Sequence, residues 1–261
     1  MSFSATKFIF NDIPSETFGL ICAQMSSGGE NTSSAGSSVD IVEEYLYRRS
    51  KPYFYGTKFS SKLQFSMSVF RETPISRLEL ESIEQWLFGH RNYKKLQILQ
   101  CDMYDVYFNC ILNEGNVIAV GNEIFGVQCT VICDAPWGWG KEIKKTYTTA
   151  SSGTTINFVN RSDDNFYLYP TIKLHSPTYQ TDVIIRNITD NNRESTFTNL
   201  KSDETVTIDC DLKIVESDRA DIIKRFDGTY LRLLGGNNRL QVFGSLSEFS
   251  IIYTPARKVG S

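Results

Sequence analysis

Short runs in which every second residue is apolar, each closed by a turn cluster, constrain this chain more than any other feature. In Lys62-Leu63-Gln64-Phe65-Ser66-Met67-Ser68-Val69-Phe70 the side chains of Leu63, Phe65, Met67 and Val69 face one way, the mark of a half-buried strand. The same period recurs at the amino terminus (Phe3, Ala5, Phe8, Phe10), over Thr17 to Gln24, Lys95 to Cys101, Val106 to Leu112, Val117 to Gly121 and Ile124 to Cys133. Asn11 to Ser15, Asn113-Glu114-Gly115-Asn116 and Gly121-Asn122 separate these runs as turns. Further on, Lys141 to Lys145, Thr154 to Asn160, Thr171 to His175, Asp182 to Ile188, Glu204 to Cys210 and Tyr230 to Leu233 repeat the pattern, with turns at Asp190-Asn191-Asn192 and Gly235 to Asn238. An aromatic share of 13 % fits pleated sheet, and the surplus of rings is expected in the cores.

One segment has a different period. Leu80, Ile83, Trp86 and Leu87 recur at three and four residues, which predicts a helix capped by Thr73, opened by Pro74 and ended by Gly89, with Glu79, Glu81 and Glu84 in solvent. A second short helix is an option over Asp218 to Phe226. Ser26 to Ser38 is rich in Gly and Ser and reads as a flexible loop or the tip of a long exposed hairpin. The change of character at Asp134 to Gly140 marks a domain boundary, giving domains 1–138 and 139–261. The expected class is mainly β: an N-terminal sandwich or barrel-like domain with one α-helix and a long hairpin or arm, then a C-terminal β-sandwich.

Charge and scarce ligands exclude several functions. With 27 Lys and Arg against 30 Asp and Glu the net charge is −3, which does not suit a dedicated nucleic-acid binder. No basic, apolar leader opens the chain, and no run approaches the ~18 apolar residues of a spanning helix, so the protein is expected to be soluble, with no membrane insertion.

General-base chemistry near neutral pH has only His90 and His175 to draw on. His90 reads as a surface residue beside a helix end, and neither histidine belongs to a nucleophile motif. No catalytic residue, no cofactor-binding residue and no metal ligand is assigned. Ser162 to Asn165 and Asp190 to Asn192 hold calcium only if other carboxylates face them, and are read as turns.

All six cysteines are expected to be buried thiols. Cys129 and Cys133 share a strand face roughly 13 Å apart, too far for a disulfide or a common metal. Exposed rings are the remaining candidates for a site. Tyr167, Tyr169, Tyr179 and Tyr230, with Trp137 and Trp139, could stack on sugars, and the two tryptophans could pin the domains together.

The order of these features resembles the distal tail protein (Dit) family of long-tailed bacteriophages, the siphoviruses. The Phe-rich first strand, the helix Leu80 to Gly89, the strand Cys129-Thr130-Val131-Ile132-Cys133-Asp134-Ala135-Pro136-Trp137 and the closing Asp227 to Leu240 stretch carry the resemblance, which covers nearly the whole chain. It implies a structural, non-enzymatic virion protein whose N-terminal domains form a homo-hexameric ring at the tail tip, assembled in the host cytoplasm. The ring would join the tail tube protein to a tail-tip or tail-associated protein of the baseplate and let DNA pass without specific binding. The C-terminal sandwich, galectin-like or carbohydrate-module-like, would project outwards and hold receptor-binding proteins. The alternative reading is a β-sandwich that itself recognises host cell-wall sugars.

Overall fold

The computed structural model describes residues 6–23, 39–59, 62–101, 103–219 and 221–258. It divides into two compact units, one up to Gly140 that also takes in the chain from Arg257, and one from Lys141 to Ala256. The Gly/Ser-rich loop expected over Ser26 to Ser38 lies outside the described residues.

The first unit contains β1 (Phe8–Phe10), β2 (Ile13–Pro14), β3 (Ile21–Ala23), β4 (Val39–Glu44), β5 (Tyr53–Phe59), β6 (Gln64–Phe70), α1 (Arg77–Phe88), β7 (Lys94–Ile98), β8 (Phe108–Val120) and β9 (Glu123–Cys133). Seven strands form one antiparallel sheet in the order β2-β1-β7-β8-β9-β6-β3. The sheet closes on itself. Thr6, just before β1, exchanges both backbone hydrogen bonds with Cys22 in β3, at 2.8 and 2.7 Å, and its hydroxyl donates to the Leu99 carbonyl. This is the barrel-like domain that the alternation predicts, closed so that few strand edges stay open.

Helix α1 covers the barrel with Ile83, Trp86 and Leu87. Trp86 stacks on Phe8 and Phe18, and its indole N–H donates to the Phe10 carbonyl at 3.1 Å. The helix starts later than expected, because Ser76 and not Thr73 is the cap. The Ser76 hydroxyl accepts from the Glu79 N–H while the Glu79 carboxylate accepts from the Ser76 N–H. Arg71 grips the Glu79 carboxylate with both terminal nitrogens, at 3.0 and 2.8 Å, and also donates to the carbonyls of Thr73 and Pro74, which holds those two residues outside the helix. Glu79 is therefore engaged in the cap and not simply solvated.

Two local expectations are corrected. Thr17 and Phe18 belong to a single 3₁₀ turn, Ser15–Phe18, which Gly19 ends at φ 65°, so the strand begins later than expected, at Ile21, and Gln24 lies outside the described residues. Asn113 to Asn116 is no turn. β8 runs through it with a bulge, Glu114 taking φ 56°, and the register against β9 shifts there. A bulge and a turn draw on the same residue types, which is why the sequence does not separate them.

The second unit is a two-sheet sandwich. Its strands are β11 (Ile143–Thr149), β12 (Thr154–Asn160), β13 (Thr171–His175), β14 (Thr181–Asn187), β15 (Arg193–Leu200), β16 (Thr205–Asp209), β17 (Ile214–Ser217), β18 (Gly236–Phe243) and β19 (Leu246–Tyr253); the short α2 (Ile222–Arg225) follows β17. The strand β10 (Gly138–Trp139) precedes them in the first unit. One sheet runs β11-β19-β13-β16-β17, the other β12-β18-β14-β15. Alternate residues of both sheets, among them Phe158, Leu174, Ile185, Phe197, Ile208, Val242 and Phe249, form a single apolar core.

Tyr230 to Leu233 is not a strand. Leu231 and Leu233 are buried as alternation requires, but the backbone makes only an isolated bridge, Leu233 with Leu168. Conversely β15, β17, β18 and β19 are strands that the period did not single out. In β18 the leading Gly-Asn-Asn reads locally as a turn, yet it pairs with β12 from Asn160↔Gly236 onward.

Candidate functional site

Strands β4 and β5 pair only with each other among the described residues, through Asp40↔Lys58, Ile41↔Thr57 and Val42↔Gly56, then past a bulge through Glu43↔Phe54 and Glu44↔Tyr53. An isolated two-stranded hairpin is marginal in water, and this one carries large side chains in solvent. Ile41, Tyr45, Leu46, Tyr53, Phe54 and Tyr55 are exposed, and Tyr47 is 88 % exposed. These rings are not core, contrary to the expectation from composition.

Local polar contacts order the hairpin without covering it. The Tyr55 hydroxyl donates to Glu44 at 2.8 Å, and the Tyr45 hydroxyl bonds Glu43; each carboxylate partner pushes the phenol's pKa up. The guanidinium of Arg49 lies 3.7 Å from the Tyr53 ring centre and that of Arg48 5.2 Å from Tyr47. At the base, Phe59 packs edge-on against Trp137 at 5.4 Å. So many large apolar side chains exposed on one hairpin are the raw material of an interaction surface, and the hairpin is the strongest candidate for function among the described residues.

The residues considered for chemistry lie apart from the hairpin in the chain, and most of them are held by structural contacts. His90 is half-buried with its ring against Phe10, and is not the surface residue expected. His175 bonds Thr205 through Nδ1 at 3.1 Å and Asp203 through Nε2 at 3.2 Å. All six cysteines are free. Burial pushes Cys22, Cys129, Cys133 and Cys210 up to about 12 and raises Cys110 as well, so these thiols are not nucleophiles. Cys101 is exposed, which corrects the expectation for that residue.

Asp190 gives both carboxylate oxygens to Arg232, and Asp164 accepts from the Asn165 N–H within its own turn. Among the described residues no three His, Cys, Asp or Glu gather as a metal site. No helix among them is long and apolar enough to cross a membrane.

Of the rings considered for sugar, Tyr230 is spent on structure: its hydroxyl donates to the Lys213 carbonyl, and its ring packs on Phe226. Tyr167, Tyr169 and Tyr179 remain exposed, with the Arg232 guanidinium 3.9 Å from the Tyr167 ring centre. Trp137 packs edge-on against Trp139, whose indole N–H donates to Asp134 at 3.0 Å. No pattern in the sequence pointed to the buried pair Glu204–Arg225, made by residues 21 apart in the chain.

The barrel with its hairpin and the sandwich that follows define a class, that of phage tail proteins. Residues 3–135 match the family described as phage tail protein N-terminal domain and residues 137–253 the one described as phage tail C-terminal domain, and the chain belongs to this family. In sequence it is similar to the SPbeta prophage-derived uncharacterized protein YomH of Bacillus subtilis (strain 168), 22 % identical over 240 residues covering 91 % of this chain and 92 % of that protein. In structure it is similar to the SPP1 Dit (gp 19.1) protein, described as a paradigm of the hub adsorption apparatus in phages that infect Gram-positive hosts. The TM-score is 0.70 at 12 % identity, covering 97 % of this chain and all of that one. A chain of the phage P2 baseplate in its activated conformation aligns over 96 % of this chain and 98 % of its own, with TM-score 0.49 and 11 % identity. The fold is thus that of the SPP1 Dit protein, and the chain is a virion tail component.

Proposed function

We propose that the chain is a distal tail protein. Six copies form a ring through their N-terminal domains, 1–138, and the ring joins the tail tube protein to the tail tip or baseplate and leaves a channel for DNA. The C-terminal sandwich, 139–261, projects to hold a tail-associated or receptor-binding protein. The ring assembles in the host cytoplasm, and its role is structural, not enzymatic. The observation that carries this reading is the β4–β5 hairpin, whose apolar side chains are left exposed by the described residues and would be buried by a neighbouring copy. His175, bonded through both ring nitrogens, and the buried thiols support a structural role, and the net charge of −3 suits a channel in which phosphates should not stick.

Light scattering of the purified chain is expected to give a mass six times that of one copy, and negative-stain images a six-fold ring; a monomer at micromolar concentration overturns the proposal. Tyr47→Asp, a charge placed at the most exposed ring of the hairpin, is expected to shift the mass towards the monomer. The sugar-binding alternative rests on Tyr167 and Tyr169 beside Arg232. Glycan-array binding that is lost in Tyr167→Ala would favour it.

A further inference from the structure

The first unit carries a concave feature as well as the projecting hairpin. Between the start of α1 and the 3₁₀ turn lies an open groove of about 770 Å³, with Phe18, Ile21, Leu78 and Ile83 as its apolar lining and Arg71, Glu72 and Glu79 as its charged rim. The groove is open to solvent and wide enough to take a few side chains. Leu78 projects beside it at 77 % exposure, an unusual position for leucine on a helix whose neighbours Ile83, Trp86 and Leu87 are buried. Arg71 and Glu79 neutralise each other in the cap, while Glu72 has no ion-pair partner among the described residues and leaves the rim acidic.

The hairpin is the complement in charge and, like the groove, presents apolar side chains. Its turn, Tyr45 to Pro52, carries Arg48, Arg49 and Lys51 and no acidic residue, next to the exposed rings of Tyr45 and Tyr47 and the side chain of Leu46. None of the three basic groups has a carboxylate partner among the described residues. An aromatic knob with a basic tip and an apolar groove with an acidic rim are different patches of the same unit. A contact between such unlike patches is head to tail, the kind that generates rings when the rotation closes.

We infer that the groove beside α1 receives the β4–β5 hairpin of a second copy of this chain, with Tyr47 against Leu78 and the Arg48/Arg49 pair facing Glu72. The inference rests on the ring reading and supplies its contact.

The test uses the full chain with Cys101→Ser, so that no exposed native thiol among the described residues interferes. Tyr47→Cys and Leu78→Cys are combined in it and oxidised. Disulfide-linked ladders up to the hexamer are expected on non-reducing gels, absent from either single variant and from the pair Tyr104→Cys with Leu78→Cys, in which Tyr104 is exposed but belongs to the segment between β7 and β8 and not to the hairpin. A six-fold mass with no link overturns the groove contact and leaves the ring standing. Linked dimers alone keep the contact and overturn the ring, and a monomer overturns both.

Charge reversal is the second measurement. Glu72→Lys is expected to raise the concentration at half-assembly about tenfold, as juxtaposed like charges do. Adding Arg48→Glu and Arg49→Glu should restore it, whereas no restoration overturns the charge pairing.

Discussion

Glu204 is a carboxylate with no exposure to water, and four donors hold it: both terminal nitrogens of Arg225 at 2.7 Å, the Ser217 hydroxyl and the Lys201 N–H. Burial works to raise its pKa, but the Arg225 bonds and the other donors outweigh that and keep it below the ordinary value. Removing the arginine leaves a buried charge unpaired, so Arg225→Ala is expected to cost about 3–5 kcal/mol in urea unfolding, and the apolar pair Glu204→Leu with Arg225→Met much less. Glu79 is the exposed counterpart, lowered from 4.5 to about 2 by Arg71 first and then by the Ser76 N–H and hydroxyl. Its folded value lies below its unfolded one, so its contribution is complete above pH 4.5 and is lost as the pH falls towards 2. The gap in melting temperature between the native chain and Glu79→Gln should therefore narrow from pH 6 to pH 2.5. Neither carboxylate was legible in the sequence. Glu79 was one of several acidic residues on a helix, and Glu204 opens a strand-like run in which nothing distinguishes it; what sets them apart is an arginine brought up by the fold.

At the scale of elements, periodicity located strands where apolar residues alternate strictly and no turn-type residues interrupt them. Thr154 to Asn160 and Thr171 to His175 run as read, because Ile156, Phe158, Ile172 and Leu174 face the core in strict alternation. It failed where local chemistry is shared between structures. Thr73-Pro74 is a plausible helix start until Arg71 claims both carbonyls, and Asn113 to Asn116 is a plausible turn until β9 pairs along both sides of it. The exposed hairpin was also beyond reach, since Tyr and Phe in a strand read the same whether a core or a partner covers them. One close approach decides how tightly the barrel strands meet. A Cβ at Gly126 would lie 2.1 Å from the Val69 carbonyl oxygen in β6, so Gly126→Ala must push backbone apart. The expected cost is about 1–3 kcal/mol, the range for overpacking, seen as an earlier melting transition with the sandwich unaffected.

For the whole molecule, the two apolar cores share no residue, the first built on Phe8, Phe10, Phe108 and α1 and the second on Phe158, Phe197 and Phe249. Calorimetry should therefore resolve separable transitions, with Phe108→Ala lowering one and Phe249→Ala the other, each by about 3–5 kcal/mol; a single transition moved equally by both variants would contradict separate cores. The closure of the barrel also bears on how the chain is made. Thr6 must find Cys22 and Leu99, Trp86 must find Phe10, and the sheet order places β9, ending at Cys133, between β8 and β6. Contacts so distant along the chain form slowly, because loop closure is unfavourable before they form. During synthesis the first unit has no complete sheet until Cys133 has emerged from the ribosome. For most of that time its future inner strands are open edges, so slow elongation or a stall within β8 should aggregate this protein more readily than one within β18.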